Sequence, residues 1–335
     1  MISQLLNRKN FNGIIFIPLF AMLIWSPFLW GVHSNPSTTS STSLVYLWLT
    51  GWIANNPLLS TIFALVLTLV SAFILQQFDS RFTLLQKKTF LPAYLFVIIA
   101  GGLTDLQMLH PVHMAMPFFL MAIFRLFKAS LTRFPLKNFF DAGFVLGLGI
   151  LIFPQLLFFV PLLLLASIVL VKEPQWRLFV LPLIGITIPP LFLLGILFLS
   201  NNASEINNLL NINLITESNP GMLIRSNLLI FLGLIAVLLL LAVLKIGGFS
   251  EERRNLQRRY QQFFILMMLN TLPIIVFVGR GSTAALWLAA APSAMLIAFL
   301  LGTIRRKRWV EFILIMLLLG AMLLNDKVVA IFLPQ

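Results

Sequence analysis

Apolar runs of about 17–22 residues, long enough to cross a hydrocarbon core of roughly 30 Å as helices, recur along the whole chain. The expected spans are 11–31, 58–77, 90–107, 113–128, 139–153, 155–171, 179–199, 223–245, 262–279, 283–304 and 310–325. Short polar breaks separate them, none large enough for a soluble domain. The pattern predicts an all-α polytopic integral membrane protein: about eleven transmembrane helices in one bundle, a single domain over residues 1–335, with short amphipathic external helices. Nothing alternates in the ten-residue segments of a transmembrane β-barrel. The fifth run meets the sixth at Pro154, where a broken helix and a re-entrant pair both fit.

One break stands out. The stretch LPAYLFVIIAGGLTDLQMLHPVHMAMPFFLMAIFRLF, 91–127, is two apolar runs joined by a polar segment holding Asp105, Gln107, His110, Pro111 and His113. Two of the three histidines of the chain lie there.

Composition agrees with the pattern. At 60% hydrophobic and 10% charged, the chain lies far from soluble usage. The net charge of +13 would suit nucleic acid, but its placement does not. With the N-terminus in the cytoplasm, 20 of the 23 Lys and Arg residues fall on the cytoplasmic side, and only Arg225, Arg280 and Lys327 fall outside. The basic charge is then a topology signal and an attraction to anionic lipids, and no nucleic acid partner is expected. An odd number of spans puts the C-terminus in the periplasm, and the localisation expected is a bacterial inner membrane. The first apolar run follows Arg8 and Lys9 without a small-residue cleavage site, which marks an uncleaved span. There is no cysteine, so disulfides, thiolate metal sites and thiol nucleophiles are excluded.

The external loops differ from the internal ones. Between Val32 and Pro57 there is no charged residue, but a Ser/Thr tract is followed by Tyr46, Trp48 and Trp52. These aromatics predict a short helix at headgroup depth. The loop 200–221 is rich in Asn and fits either a second surface helix or a solvated loop. Gly143 and Gly147 form a GxxxG pair that predicts a close helix contact.

Polar groups at membrane depth are costly and are therefore the candidates for function. The span map puts His33, Asp105, His110, His113, Glu205, Glu217, Arg225 and Arg280 at the outer face. Asp105, His110 and His113 have the residue types for general acid–base catalysis. The plainer alternative is that Pro111 shapes the break and the imidazoles cap helix ends. Two histidines and one carboxylate fall short of a zinc ligand set in fixed geometry, so no metal and no cofactor are expected. Gly279-Arg280-Gly281-Ser282-Thr283 offers a guanidinium, hydroxyls and free backbone N–H groups at a helix start. Arg280, Arg225 and Ser282 are the candidates for binding a lipid phosphate. The alternative is a turn with a snorkelling arginine.

Three stretches carry a family resemblance. They are the 91–127 segment with its Leu-His-Pro break, FDAGFVLGLGILIFPQLLFF from Phe140 to Phe159, and Gln175-Trp176-Arg177 followed by LFVLPLIGITIPP. Together they resemble a family of multi-pass inner-membrane proteins of the Bacteroidota that is classed as a domain of unknown function. More loosely, the architecture looks like that of membrane glycosyltransferases that use polyprenyl-phosphate sugars. Those enzymes usually hold an acid in the first external loop, and this chain has none there. The function expected is an outward-facing cavity for an envelope lipid or a polyprenyl-phosphate-linked sugar, with glycosyltransferase-like chemistry. The alternative is a non-enzymatic scaffold or accessory subunit of a cell-envelope or secretion complex, whose partners would be proteins as well as membrane lipids.

Overall fold

The computed structural model describes residues 12–29, 43–53, 56–85, 89–103, 106–171, 175–200, 226–248, 255–278, 283–304 and 307–323. All regular elements among these residues are helices. In chain order they are α1 (Asn12–Leu29), α2 (Leu44–Thr50), α3 (Pro57–Phe82), α4 (Leu91–Gly101), α5 (Pro111–Ala129), α6 (Leu136–Ile152), a 3-10 turn (Pro154–Phe159) leading into α7 (Val160–Leu170), α8 (Arg177–Leu199), α9 (Ser226–Gly248), α10 (Asn255–Pro273) with a π-helical turn (Ile274–Val278), α11 (Thr283–Leu288), α12 (Ala290–Thr303) and α13 (Lys307–Leu323).

Four of these helices are long and apolar enough to cross a membrane: α3, α5, α8 and the part of α9 from Leu228 to Ile246. The expectation of eleven spans is corrected to that extent. Several apolar runs are interrupted rather than continuous. The third run stops as a helix at Gly101, and its 11 residues rise only about 16 Å. The sixth begins as a 3-10 turn at Pro154, so the helix is interrupted there. The tenth is split at Ala289 into α11 and α12. The long helices show apolar surface on their outer faces, including Leu191, Phe192 and Phe198 of α8 and Ile230, Leu240 and Leu244 of α9. Such surface is the complement of hydrocarbon rather than water.

Contacts fix the helix directions. Trp25 and Ile24 pack on Gly101 while Phe20 meets Tyr94, so α1 and α4 run parallel. The α3 start lies beside the 106–110 segment and its end beside the end of α5. Arg125 pairs with Asp141 at 3.7 Å, and Gly149 faces Phe118 and Ala115, so α6 returns antiparallel to α5. The bundle therefore has two ends. One carries the polar break between α4 and α5. The other carries the basic residues: Arg81, Arg125, Lys128, Arg133, Lys137, Arg177, Lys245, Arg258, Arg259 and Arg308 all lie near helix ends or in the turn between α5 and α6 on that side.

The GxxxG pair makes the close contact its spacing predicts. Gly143 lies against the Pro182 backbone, and a Cβ on Gly147 would meet the Ile186 carbonyl oxygen at 2.7 Å. In return, a Cβ on Gly185 would meet the Phe140 carbonyl oxygen at 2.5 Å. Helices α6 and α8 thus run parallel with their backbones touching. Pro182, Pro189 and Pro190 interrupt the hydrogen bonding of α8, because proline has no N–H to donate.

The basic end is filled by rings. Phe127 stacks on Tyr260 at 4.6 Å and meets Phe78, Phe82, Phe263 and Phe264 edge-on. These rings join α3, α5 and α10 in one core. Thr83 ends α3 in the left-handed region at φ 48, and Asp79 accepts the Leu85 N–H at 2.8 Å to close that turn. At the break end, α2 is the short helix that Tyr46, Trp48 and Trp52 predict, with both tryptophans exposed.

Candidate functional site

The break forms because helix α4 ends at a glycine pair and α5 begins at a proline. Pro111 takes the first position of α5, where its missing N–H costs nothing. His110 is the N-cap residue, with extended backbone at φ −129 and ψ 151. Its Nδ1 accepts the Val112 N–H at 3.2 Å, and the Nδ1 of His113 accepts the His110 N–H at 3.2 Å. The two imidazoles form a reciprocal capping box, the role usually filled by a hydroxyl and a carboxylate. Of the two readings of this pair, the structure displays the cap.

The box decides the protonation pattern. An Nδ1 that accepts an N–H has no proton, so each neutral ring carries its proton on Nε2. Burial, and after it the neighbouring His113, hold His110 well below the usual histidine range, at about 3. Neither ring then offers a free lone pair to a substrate.

Side chains from four other helices, and Phe153 after α6, close on the same segment. Trp25 of α1 donates its Nε1–H to the Gln107 carbonyl at 3.3 Å. Gln107 donates its amide to the Gly101 carbonyl at 2.9 Å, extending the end of α4. Tyr46 of α2 donates to the Leu109 carbonyl at 3.0 Å, and the Leu109 N–H donates to Ser60 Oγ of α3 at 3.0 Å. Ser43 donates to the Leu151 carbonyl at the end of α6. Trp287 of α11 lays its ring against His113 at 4.8 Å and 62°, and Phe153 meets His110 at 6.0 Å. Within the segment the Leu106 N–H donates to the Leu103 carbonyl at 3.1 Å, and these side chains supply further bonds to its backbone.

Of the predicted site residues, the structure brings His110 and His113 together. Asp105, Arg225, Arg280 and Ser282 lie outside the described residues, as do His33, Glu205 and Glu217. The buried Leu103 and Leu106 flank Asp105, and Arg280 precedes α11 by three residues. Among the described residues no three His, Asp or Glu side chains cluster as metal ligands. Sequence reasoning assigned no role to Trp25, Tyr46, Ser60 or Trp287 at the break. A tryptophan inside an apolar run gives no sign of which distant carbonyl or ring it meets.

No curated protein and no solved structure matches the chain. A family match covers residues 42–332, which takes in the break, both histidines and all four long apolar helices. The chain therefore belongs to the family of unknown function DUF6427.

Proposed function

We propose that the chain is a multi-pass protein of a bacterial inner membrane that receives the phosphate head of an envelope lipid, or of a polyprenyl-phosphate-linked sugar, at its break end. The observation that carries this reading is the contact between His113 and Trp287. It sets α11 against the break, and α11 follows directly in the sequence on residues 279–282, which include Arg280. Arg280 is the bidentate phosphate ligand in this reading, with Ser282 and Arg225 as further donors. The collection of basic residues at the opposite end supports a cytoplasmic basic end. In this reading α3, α5, α8 and α9 cross the membrane and the shorter apolar helices lie sheltered among them.

If a transfer reaction occurs there, the base is Asp105, because both imidazoles spend their lone pairs on the cap. The same capping box favours a second reading, a scaffold or accessory subunit without chemistry. Lipid co-purification separates the two. Arg280→Lys keeps the charge and loses the fork, so phosphate-lipid recovery should fall in native mass spectrometry while thermal stability holds. Unchanged lipid recovery in both Arg280→Lys and Arg280→Ala, together with a stoichiometric protein partner, would favour the scaffold. Orientation is tested in the cysteine-free chain. Single cysteines at Ser40 and Ser218 should react with an impermeant maleimide in spheroplasts, and one at Gln257 should stay unlabelled.

A further inference from the structure

Three polar atoms in the interior of the break end have no hydrogen-bond partner among the described residues: His113 Nε2, Trp287 Nε1 and Gln107 Oε1. All three side chains are fully buried. The first two are donors. Trp287 has only its N–H, and the capping box leaves the His113 proton on Nε2. Their rings touch, at 4.8 Å between centroids. The Leu106 carbonyl bears on the His113 ring, yet Nε2 makes no hydrogen bond of ordinary geometry. Gln107 uses its amide N–H on Gly101, which leaves its oxygen as an acceptor on the same break. Unmet polar groups at this depth are rare in folded proteins and destabilise them, so each calls for a partner.

We infer that the break end encloses a site for one neutral hydroxylic oxygen, which accepts from His113 Nε2–H and Trp287 Nε1–H and donates to Gln107 Oε1. Water and an alcohol hydroxyl share this chemistry. A phosphate or carboxylate oxygen does not, since it has no proton for Gln107 and brings a charge that no described side chain here balances. A metal ion would face two N–H protons. The site lies inside the bundle and is separate from the phosphate site proposed at the loop before α11, so either can fail alone. Three such partners are the number an internal water ordinarily has.

The test uses the full-length chain in lipid nanodiscs, labelled with 15N at Trp and His and assigned through Trp287→Phe. The Trp287 indole proton and the His113 Nε2 proton should both resonate at hydrogen-bonded, downfield positions. Removing Trp287 should shift the His113 signal, because the two share an oxygen. Phe96→Leu, which loosens the other ring against Trp287 at 5.5 Å, should leave the His113 signal in place. A cross-peak to water that survives complete lipid exchange into phosphatidylcholine identifies the oxygen as water. A downfield shift without a water cross-peak, lost on that exchange, identifies a membrane-derived hydroxyl. Upfield, unbonded signals in both preparations overturn the inference. So does a coupling across the hydrogen bond from His113 to the Leu106 carbonyl.

Discussion

The two ends of the bundle hold the chain together by different means. At the basic end, Phe78, Phe82, Phe124, Phe127, Tyr260 and Phe264 fill space between helices that are complete to their termini. At the break end the helices stop short, and single hydrogen bonds from Trp25, Gln107, Tyr46, Ser60 and the histidine pair replace the missing backbone bonds. The first arrangement tolerates small shifts of any one ring, because dispersion contacts are many and weak. The second is directional, since each bond joins one named donor to one acceptor. Irregular backbone at membrane depth persists only where protein satisfies it. The break end is thus where the chain has given up helix and bound itself with side chains instead.

Substitutions can break this contrast. The largest effect is expected from Phe127→Ala, which removes the ring shared by five aromatic neighbours. The cavity should cost about 3–5 kcal/mol, read as a large fall in thermal unfolding temperature in detergent, with the break-end signals of Trp25 and Trp287 unchanged until global unfolding. At the break, His113→Phe removes one half of the capping box and should cost about 1–2 kcal/mol. His110→Asn, which restores a preferred cap, should cost much less. Equal losses for the two variants would show that the imidazoles act by bulk and not by capping. A smaller effect, about 1 kcal/mol, is expected from Tyr260→Phe, which deletes the 2.7 Å bond to Ser130 and leaves the stack on Phe127.

The finest test is pH. His110 is held neutral in the folded chain down to about 3, whereas an unfolded histidine titrates near 6.5. Below that unfolded value the unfolded chain binds the extra proton, so stability is complete above about pH 6.5 and declines as pH falls towards 3. His110→Asn should flatten that part of the profile relative to the parent chain. Carboxylates titrate in the same window in both proteins, so the difference between the two curves isolates the histidine.

Hydropathy made the helices legible, along with the close contact of Gly143 and Gly147 and the position of the break. These are properties of local periodicity, and lipid selects on the same periodicity. The number of helices able to span alone was not legible. A run such as 90–107 stays apolar past Gly101, and nothing in its hydropathy marks where backbone hydrogen bonding ends. The capping role of His110 and His113 was visible as one of two readings, since Pro111 fixes a helix start beside them. Their partners were not. Trp25 lies 82 residues from Gln107, and Trp287 is further still from His113, so only the fold brings them together.

The glycine–proline contact between α6 and α8 bears on biogenesis. The three prolines of α8 leave carbonyl groups without their intrahelical donors, and two of those carbonyls belong to Gly185 and Ile186 on the face that meets α6. An α8 released alone into lipid would expose them. Beside α6 the Ile186 carbonyl is covered by Gly147, whose Cα–H is placed to give it a weak bond. The order of synthesis suits this, because α6 leaves the ribosome first and waits through α7. The insertion machinery then has a reason to retain α6 until α8 arrives and to release the pair as a unit.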